Sequence, residues 1–333
     1  MKNISKRFNP FGFSLLLLSM FLFAGALPVS ARIHSGGGSS PSSCVTIAVG
    51  NDPDAIAIDS SGNVWAANSG SDSVTELNST GKTVGTYAAG AAPTAIAIDS
   101  SGNVWVANFG SNNVTELNSS GKTVGTYAVG TKPEAIVVDS SGNVWVTNFY
   151  NVTELNSSGK TVGTYAVGTA PTAIAIDSSG NIWVANEGSN NVTELTSSGK
   201  TVGTYAAGAA PTAIAIDSSG NIWVANEGSN NVTELNPSGK TVGTYAVGTT
   251  PIAIAIDSSG NVWVANANSN NVTELNSSGK TVGKYTALGG PEGIAIDSSG
   301  NVWGTNYLSD SVTELIKAAK GPQYFPYSGP RWP

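Results

Sequence analysis

The sequence predicts an all-β protein, a closed seven-bladed β-propeller of four-stranded antiparallel blades. The decapeptide Ile-Ala-Ile-Asp-Ser-Ser-Gly-Asn-Val-Trp begins at Ile56, Ile96 and Ile254, and close variants of it begin at four further positions. The seven tryptophans that end these segments are 40, 40, 38, 40, 40 and 40 residues apart. A fixed period of this length is typical of repeat architectures, so it carries more weight than any short motif.

Each unit contains four segments with strand character. In the second unit these are residues 95–98, 104–107, 114–117 and 123–127. The first alternates small and large apolar side chains, so we expect it to be buried on both sides. The third is apolar only at its ends, so we expect it to be less buried. Four strands in succession predict an antiparallel meander, which is one propeller blade.

The linking segments between these strands are turn-like. Asp-Ser-Ser-Gly-Asn at residues 99–103 combines an acceptor side chain with a glycine for positive φ, which indicates a turn that binds its own backbone. The alternative, a calcium loop, would need further carboxylates where this segment has serine. Gly-Lys-Thr occurs six times, but Glu76 stands where a phosphate-binding loop needs glycine, so a hairpin turn is the better interpretation.

Ring closure is predicted from the two ends of the repeat region. Residues 45–50 match the fourth strand and exit loop of a unit, whereas the seventh unit stops after its third strand at residues 312–315. The N-terminal strand should therefore complete the last blade and remove the open edges that a solenoid would have to cap.

The terminal segments differ in composition from the repeats. Residues 1–31 have a basic front, an apolar stretch and Val-Ser-Ala at the end, which predicts a signal peptide, with an uncleaved membrane anchor as the alternative. Residues 32–43 read as a flexible Gly/Ser linker, residues 44–315 as the propeller, and residues 316–333 as a Pro/aromatic tail. We therefore expect a secreted, periplasmic or cell-surface protein, without a stable membrane span once the signal peptide is removed.

Charge and cysteine content narrow the classes of function. Residues 1–31 contain three of the 15 basic residues and none of the 22 acidic ones, so the mature chain has 12 basic against 22 acidic residues, a net charge of −10. This balance argues against nucleic acid as a partner. The single cysteine, Cys44, excludes an intramolecular disulfide. We expect a monomer with no cofactor and no bound metal.

The string Pro-Thr-Ala-Ile-Ala-Ile-Asp-Ser-Ser-Gly-Asn-Val-Trp-Val-Ala-Asn, which begins at Pro93, resembles the NHL-repeat propellers. It is also similar to the virginiamycin B lyase-like and gluconolactonase-like propellers. NHL repeats place aspartate where this chain has Asn68, Asn108 or Asn186. The resemblance to the lyases implies a histidine general base near acidic, metal-linked residues, but the one histidine here is His34, outside the repeats. The resemblance therefore implies the fold and does not transfer that chemistry.

Two recurrent features have both a structural and a functional interpretation. The seven tryptophans fall at one strand position, and packing between blades explains this better than stacking on ligands, because every blade needs it equally. Asn-Val-Thr at Asn113 and its copies fits the N-glycosylation pattern. A strand preference for valine and threonine is the alternative explanation.

Differences among the repeats concentrate in two loops, one before the inner strand and one after the tryptophan strand. In an up-and-down blade both loops emerge on one face of the ring. Neutral drift in exposed loops is the alternative to a binding role. We predict no catalytic residue, and we propose as ligand-binding residues a ring of carboxylates with aromatic side chains between them: Asp54, Phe109, Glu134, Phe149, Tyr150, Glu187, Glu227, Glu292 and Tyr307.

The sequence therefore predicts a non-enzymatic binding or interaction module, with a protein, a glycan or a cationic small molecule as partner. A lyase or hydrolase that uses carboxylates and a metal is the alternative. A scaffold selected for stability and repetition is a third interpretation.

Overall fold

The computed structural model describes residues 44–286 and 289–315, and they form a ring of seven four-stranded antiparallel sheets. The predicted seven-bladed propeller is confirmed. The predicted signal peptide, linker and tail lie outside the described residues. Within the described ranges, no helix is long and apolar enough to span a membrane.

Blades are numbered 1 to 7 in the chain order of their innermost strands. Strands are named β1 to β28 in chain order and fall into four classes by position in the blade. The innermost strands are β2 (Pro53–Ile58), β6 (Pro93–Ile98), β10 (Ala135–Val138), β14 (Pro171–Ile176), β18 (Pro211–Ile216), β22 (Pro251–Ile256) and β26 (Ile294–Ile296). The second strands are β3 (Val64–Asn68), β7 (Val104–Asn108), β11 (Val144–Asn148), β15 (Ile182–Asn186), β19 (Ile222–Asn226), β23 (Val262–Asn266) and β27 (Val302–Asn306). The third strands are β4 (Ser73–Leu77), β8 (Asn113–Leu117), β12 (Asn151–Leu155), β16 (Asn191–Leu195), β20 (Asn231–Leu235), β24 (Asn271–Leu275) and β28 (Ser311–Leu315). The outermost strands are β5 (Thr83–Ala88), β9 (Thr123–Ala128), β13 (Thr161–Ala166), β17 (Thr201–Ala206), β21 (Thr241–Ala246), β25 (Thr281–Tyr285) and β1 (Cys44–Ala48).

The ring closes through its N-terminal strand. β1 pairs antiparallel with β28, in a register that places Cys44 opposite Leu315 and Ala48 opposite Ser311. Blade 7 is therefore built from both ends of the propeller, as predicted, and we call this β1–β28 junction the seam.

Burial within a blade differs from the sequence-based expectation at two strands. The innermost strand is only partly buried, because it is the edge of its sheet and pairs with a strand on one side only; in β2 just Pro53 and Ile56 are buried. The third strand is buried along nearly its whole length, including polar Thr75 and Glu76 in β4. Its polar side chains are covered and hydrogen-bonded by neighbouring strands, so polarity here does not mean exposure.

Tryptophan side chains form the cores between blades. Trp65 of blade 1 is 1% exposed and packs against Ile96, Val104 and Val106 of blade 2. The same arrangement recurs around the ring, and burial of so large an apolar side chain stabilises the fold by about 2–3 kcal/mol. This confirms that the repeated tryptophans serve packing between blades.

Each of blades 1–6 also stacks its tryptophan on a tyrosine of its own outermost strand. In blade 1 the Trp65 and Tyr87 ring centroids are 5.7 Å apart, and the Tyr87 hydroxyl donates a 2.7 Å hydrogen bond to Glu76. Tyr87 also covers Gly121 of the next blade, where a Cβ would collide with the ring. Glycine is required there both for this approach and for its φ of 75°.

The seam lacks this stack. Ile47 stands opposite Val312 in blade 7, the position that Tyr87 holds opposite Val74 in blade 1. Glu314 consequently has no phenol beside it from β1. Burial and the negative charge of Asp297 raise the pKa of Glu314. Blade 7 is therefore the one blade of the described ring in which the glutamate of the third strand has no tyrosine on the outermost strand.

Candidate functional site

The ring has two chemically different faces. The variable-loop face carries the loops from second to third strands and the turns that lead from one blade into the next. These two sets of loops are hydrogen-bonded together, as in Phe109 N–H to Ala92 O and Glu187 N–H to Ala170 O, both 2.9 Å. The turn face carries the two hairpin turns of each of blades 1–6 and the one hairpin turn of blade 7. The two variable positions therefore share one face, as the sequence predicted.

The turn face is organised by backbone hydrogen bonds to its own side chains. In blade 4, Asp177 Oδ1 accepts from the backbone N–H groups of Ser179 and Asn181, at 2.8 and 2.9 Å. Asp177 Oδ2 accepts from the Trp183 indole N–H at 3.1 Å. Burial opposes the negative charge of Asp177, but these hydrogen bonds outweigh it and lower its pKa. The repeated aspartate thus forms a turn, as predicted, and it also binds the tryptophan indole, which the sequence did not predict.

The first variable position is not in a loop in most blades, which corrects the sequence-based placement. In blades 1, 2, 4, 5 and 6 it is the second residue of the innermost strand and lies at a β-bulge, for example Asp54 between Pro53 and Ala55. Proline has no N–H for the ladder, and an extra residue there redirects the strand end. Glu134 and Glu292 precede their shorter strands β10 and β26.

Residues at this position reach the neighbouring blade. The Thr212 hydroxyl donates to the Pro251 carbonyl at 2.8 Å, and Thr94 donates to Pro133 at 3.0 Å. The position therefore lies at the junction of adjacent innermost strands. Asp54 and Glu292 occupy it in the adjacent blades 1 and 7, and Glu134 occupies it two blades beyond Asp54 in blade 3.

Glu187 and Glu227 line a cavity of about 500 Å³ between blades 4, 5 and 6. No basic side chain of the described chain contributes to its lining, so the cavity has a negative potential. The remaining lining residues are small or neutral and polar: Ala210, Gly228, Asn230, Thr249, Thr250 and Asn268. Asn268 Nδ2 donates to Thr250 Oγ1 at 2.6 Å, and Thr250 N–H donates to Asn230 at 2.8 Å, which fixes the polar wall.

The aromatic residues form a second cluster, in blades 2 and 3. The Lys132 ammonium lies 5.4 Å from the ring centroid of Phe109 and 5.5 Å from that of Phe149. Phe149 also packs edge-on against Tyr150 at 4.7 Å, and Tyr150 is 72% exposed. The aromatic rings of Phe109 and Phe149 thus already contact a cation of this chain. Such an attraction contributes about 0.5–1 kcal/mol at an exposed site. Tyr307 lies apart from both clusters and begins a 3-10 turn, Tyr307–Ser309.

Sequence reasoning missed Lys132 and the polar wall of the cavity. Lys132 is the one lysine in an exit loop between blades of the propeller, so its rarity at that position was the available signal. Thr250 and Asn268 carried no such signal, because their side chains meet only when blades 5 and 6 are assembled. The structure therefore brings together two of the nine predicted residues in an acidic cavity and three in a Lys132-centred aromatic cluster, and the remaining four belong to neither group.

Metal-ligating side chains do not cluster in the part of the chain that the structure describes: no three His, Cys, Asp or Glu residues there are placed to hold an ion. His34 lies outside the described residues. The two carboxylates of the cavity therefore do not fit the metal-assisted alternative.

The family model for the virginiamycin B lyase family matches residues 43–315, which is the whole propeller. The chain belongs to the virginiamycin B lyase family. No curated protein matches this family member.

Solved structures show the same fold at low identity. This lyase-family propeller is similar to a streptogramin B lyase (TM-score 0.75, 19% identity, 81% of this chain and 96% of that one). It is similar to virginiamycin B lyase from Staphylococcus aureus (TM-score 0.74, 19% identity, 81% and 98%). It is also similar to Kuenenia stuttgartiensis hydrazine synthase (TM-score 0.73, 18% identity, 81% and 96%). At this identity the likeness establishes the fold alone.

Proposed function

We propose that this protein is an exported, non-enzymatic binding module that receives a cationic group of its ligand in the cavity lined by Glu187 and Glu227. The observation that carries the proposal is the pairing of these two carboxylates in one cavity without a lysine or arginine among the lining residues. Carboxylates in a concave, partly desolvated site favour cations more strongly than carboxylates on an open surface. Hydroxyl and amide groups among the other lining residues offer donors and acceptors to the rest of the ligand.

The composition of the propeller supports binding over catalysis. Residues 44–315 contain no histidine and one cysteine, so the commonest general base and the strongest side-chain nucleophile are nearly absent. A solved relative is a catalytically inactive histidine-to-alanine variant of the Staphylococcus aureus lyase with quinupristin. The absence of a propeller histidine here is the feature that separates the two functions.

The aromatic cluster would contribute a second contact on the same face. Tyr150 is exposed beside Phe149, and such flat apolar surfaces stack on sugar rings. Because Lys132 already lies over Phe109 and Phe149, we expect this cluster to contact neutral or anionic parts of a ligand.

A screen of the full-length protein would test the proposal. The probes are amine-bearing glycans, polyamines and cationic peptides, each with its N-acetylated counterpart as a matched neutral control. We expect the amine forms to bind better and their affinity to fall as salt rises. Equal binding of amine and acetylated forms would contradict the proposal.

The family membership favours one alternative, a lyase activity, and it has its own test. The protein is incubated with quinupristin, and ring opening is followed by mass spectrometry, with the His34→Ala variant alongside. We expect no ring opening by either protein. Turnover by the wild type would overturn the non-enzymatic proposal, and its loss in His34→Ala would establish a histidine mechanism.

Export follows from the N-terminal pattern and is tested separately. Mass spectrometry of the mature protein should find Arg32 as the first residue, because cleavage is expected after Val-Ser-Ala. Intact Met1 on a cytosolic species would contradict it.

A further inference from the structure

Blades 1–6 each contain a Trp–Tyr–Glu stack, which combines two oxidisable rings with a carboxylate that can accept a proton. In every one of these blades an indole stacks on a phenol with centroids 5.2–5.7 Å apart. In every one the phenol donates a hydrogen bond of 2.6–2.8 Å to a buried glutamate. These distances are typical of an O–H hydrogen bond to a carboxylate, and the indole and phenol stacked beside it are both oxidisable rings.

We infer that each stack carries an oxidising equivalent from the buried tryptophan to the more accessible tyrosine, and so protects the tryptophan from irreversible oxidation. The inference is independent of the proposed ligand. It assigns a redox-protective function to a part of the molecule that lies away from the variable-loop face.

The electron and proton balance of the step is simple. A one-electron oxidant of the radical class removes an electron from the indole and leaves a tryptophan radical cation. The stacked tyrosine gives an electron to the indole, and its O–H bond breaks as the proton moves to the glutamate carboxylate. The products are intact tryptophan, a neutral tyrosyl radical and a protonated glutamate. A small-molecule reductant, such as ascorbate or a thiol, then supplies the electron to the tyrosyl radical, and the glutamate returns the proton.

Burial explains why transfer of the oxidising equivalent from tryptophan to tyrosine is useful. The seven tryptophans are 0–2% exposed, so external reductants cannot reach an oxidised indole. The tyrosines lie on the outermost strands and are half-buried, and so they are closer to solvent. Transfer to tyrosine therefore moves the radical to a place where it can be reduced.

Blade 7 is a built-in control. Trp303 is as buried as the others, at 1% exposure, and its indole N–H keeps the 3.2 Å hydrogen bond to Asp297. Among the described residues of blade 7, Ile47 occupies the position that the tyrosine holds in the other blades. Glu314 remains beside Trp303 in register, so blade 7 has the tryptophan and the proton acceptor without the tyrosine that joins them.

The chain is well suited to a site-resolved experiment. Cleavage after lysine and arginine separates the seven repeat tryptophans into seven different peptides, such as residues 161–200 for Trp183 and 285–317 for Trp303. The folded full-length protein is exposed to photogenerated tris(bipyridine)ruthenium(III) in the presence of ascorbate, and the oxidised fraction of each tryptophan is measured by mass spectrometry. We expect Trp303 to be lost several-fold faster than the other six.

Three variants exclude a purely structural explanation. Tyr205→Phe keeps the ring over Gly239 but removes the phenol, and it should raise the loss of Trp183 to the level of Trp303 without affecting the other blades. Ile47→Tyr should lower the loss of Trp303 to that of the others. Glu194→Gln keeps a hydrogen-bond acceptor but removes the proton acceptor, and it should slow formation of the tyrosyl radical in transient absorption, as should D2O.

Equal loss of all seven tryptophans in the wild type would overturn the inference. So would unchanged loss of Trp183 in Tyr205→Phe together with unchanged loss of Trp303 in Ile47→Tyr. The second variant keeps the test decisive if the first one unfolds.

Discussion

The indole Nε1 of Trp183 lies 3.1 Å from Oδ2 of Asp177, and this hydrogen bond joins the turn face to the core between blades 4 and 5. The same carboxylate holds the turn that reverses the chain before Trp183. One side chain therefore serves local folding and blade packing together, which explains why its turn sequence recurs in all seven blades.

Asp177→Ala should destabilise the fold by about 1–3 kcal/mol, because the buried indole N–H and two turn N–H groups lose their acceptor. Urea denaturation followed by tryptophan fluorescence measures the change. Ser178→Ala, at an exposed position of the same turn, is the matched control and should stay within about 0.5 kcal/mol of wild type. A loss no larger than that of the control would show that the aspartate does not hold the tryptophan.

The tyrosine–glutamate pairs predict an alkaline transition. Burial first, and then the hydrogen bond and charge of the paired glutamate, raise the pKa of Tyr87, Tyr127, Tyr165, Tyr205 and Tyr245 to about 12 from an ordinary value of 10.0. Each phenol therefore contributes stability that is fully present below pH 10 and is lost as the pH rises toward 12.

Two measurements check this transition. Phenolate absorbance of the folded protein should develop later than that of the urea-unfolded protein, and the urea midpoint should fall between pH 10 and pH 12. Tyr205→Phe should remove one late phenolate. Coincident titration of folded and unfolded protein would contradict the pairing.

Ile47→Tyr should strengthen the seam. The new phenol can stack on Trp303 and donate to Glu314, and Gly81 leaves room for the ring as Gly121 does for Tyr87. We expect a gain of about 1–2 kcal/mol from the hydrogen bond and the ring contact. As controls, Ile47→Phe supplies the ring without the hydroxyl, and the double variant Ile47→Tyr with Glu314→Gln keeps the phenol but removes the negative charge of Glu314. Equal stability of the Tyr and Phe variants would mean that Glu314 does not accept the bond.

The architecture could be predicted because each blade repeats the same local rules. Period, turn residues and the surplus N-terminal strand together predict four strands per blade and closure between β1 and β28. The expectations for strand burial failed for two different reasons: the innermost strand is an edge strand of its sheet, and the third strand is covered by its neighbours. Polar Glu76 looked exposed, because its partner Tyr87 is eleven residues away on the next strand. The recurrence of that spacing in six units, and its absence from the seventh, was the signal that could have revealed the pair.

The candidate site was less predictable because it forms across blades. Asp54 was placed in a loop, since the bulge after Pro53 is a feature of strand pairing and not of local sequence. Glu187 and Glu227 were identified individually, but the cavity between them depends on residues of blade 6. Lys132 meets Phe109 and Phe149 from an exit loop, and no spacing rule predicts that contact.

We propose that a ligand binds on the variable-loop face, and paired variants in one binding assay test this proposal most directly. Titration calorimetry compares wild type, Glu187→Gln with Glu227→Gln, and Lys122→Ala with Lys240→Ala, using the amine-bearing probe that binds best. Phe149→Ala with Tyr150→Ala tests the aromatic cluster in the same way. Circular dichroism confirms that each variant is folded.

We predict that the double glutamate variant loses most of the binding and that the double aromatic variant binds more weakly than wild type. The double lysine variant, whose changes are exposed on the turn face, should bind as wild type does. Loss of binding in the double lysine variant, with binding retained in both variable-loop variants, would contradict the proposal.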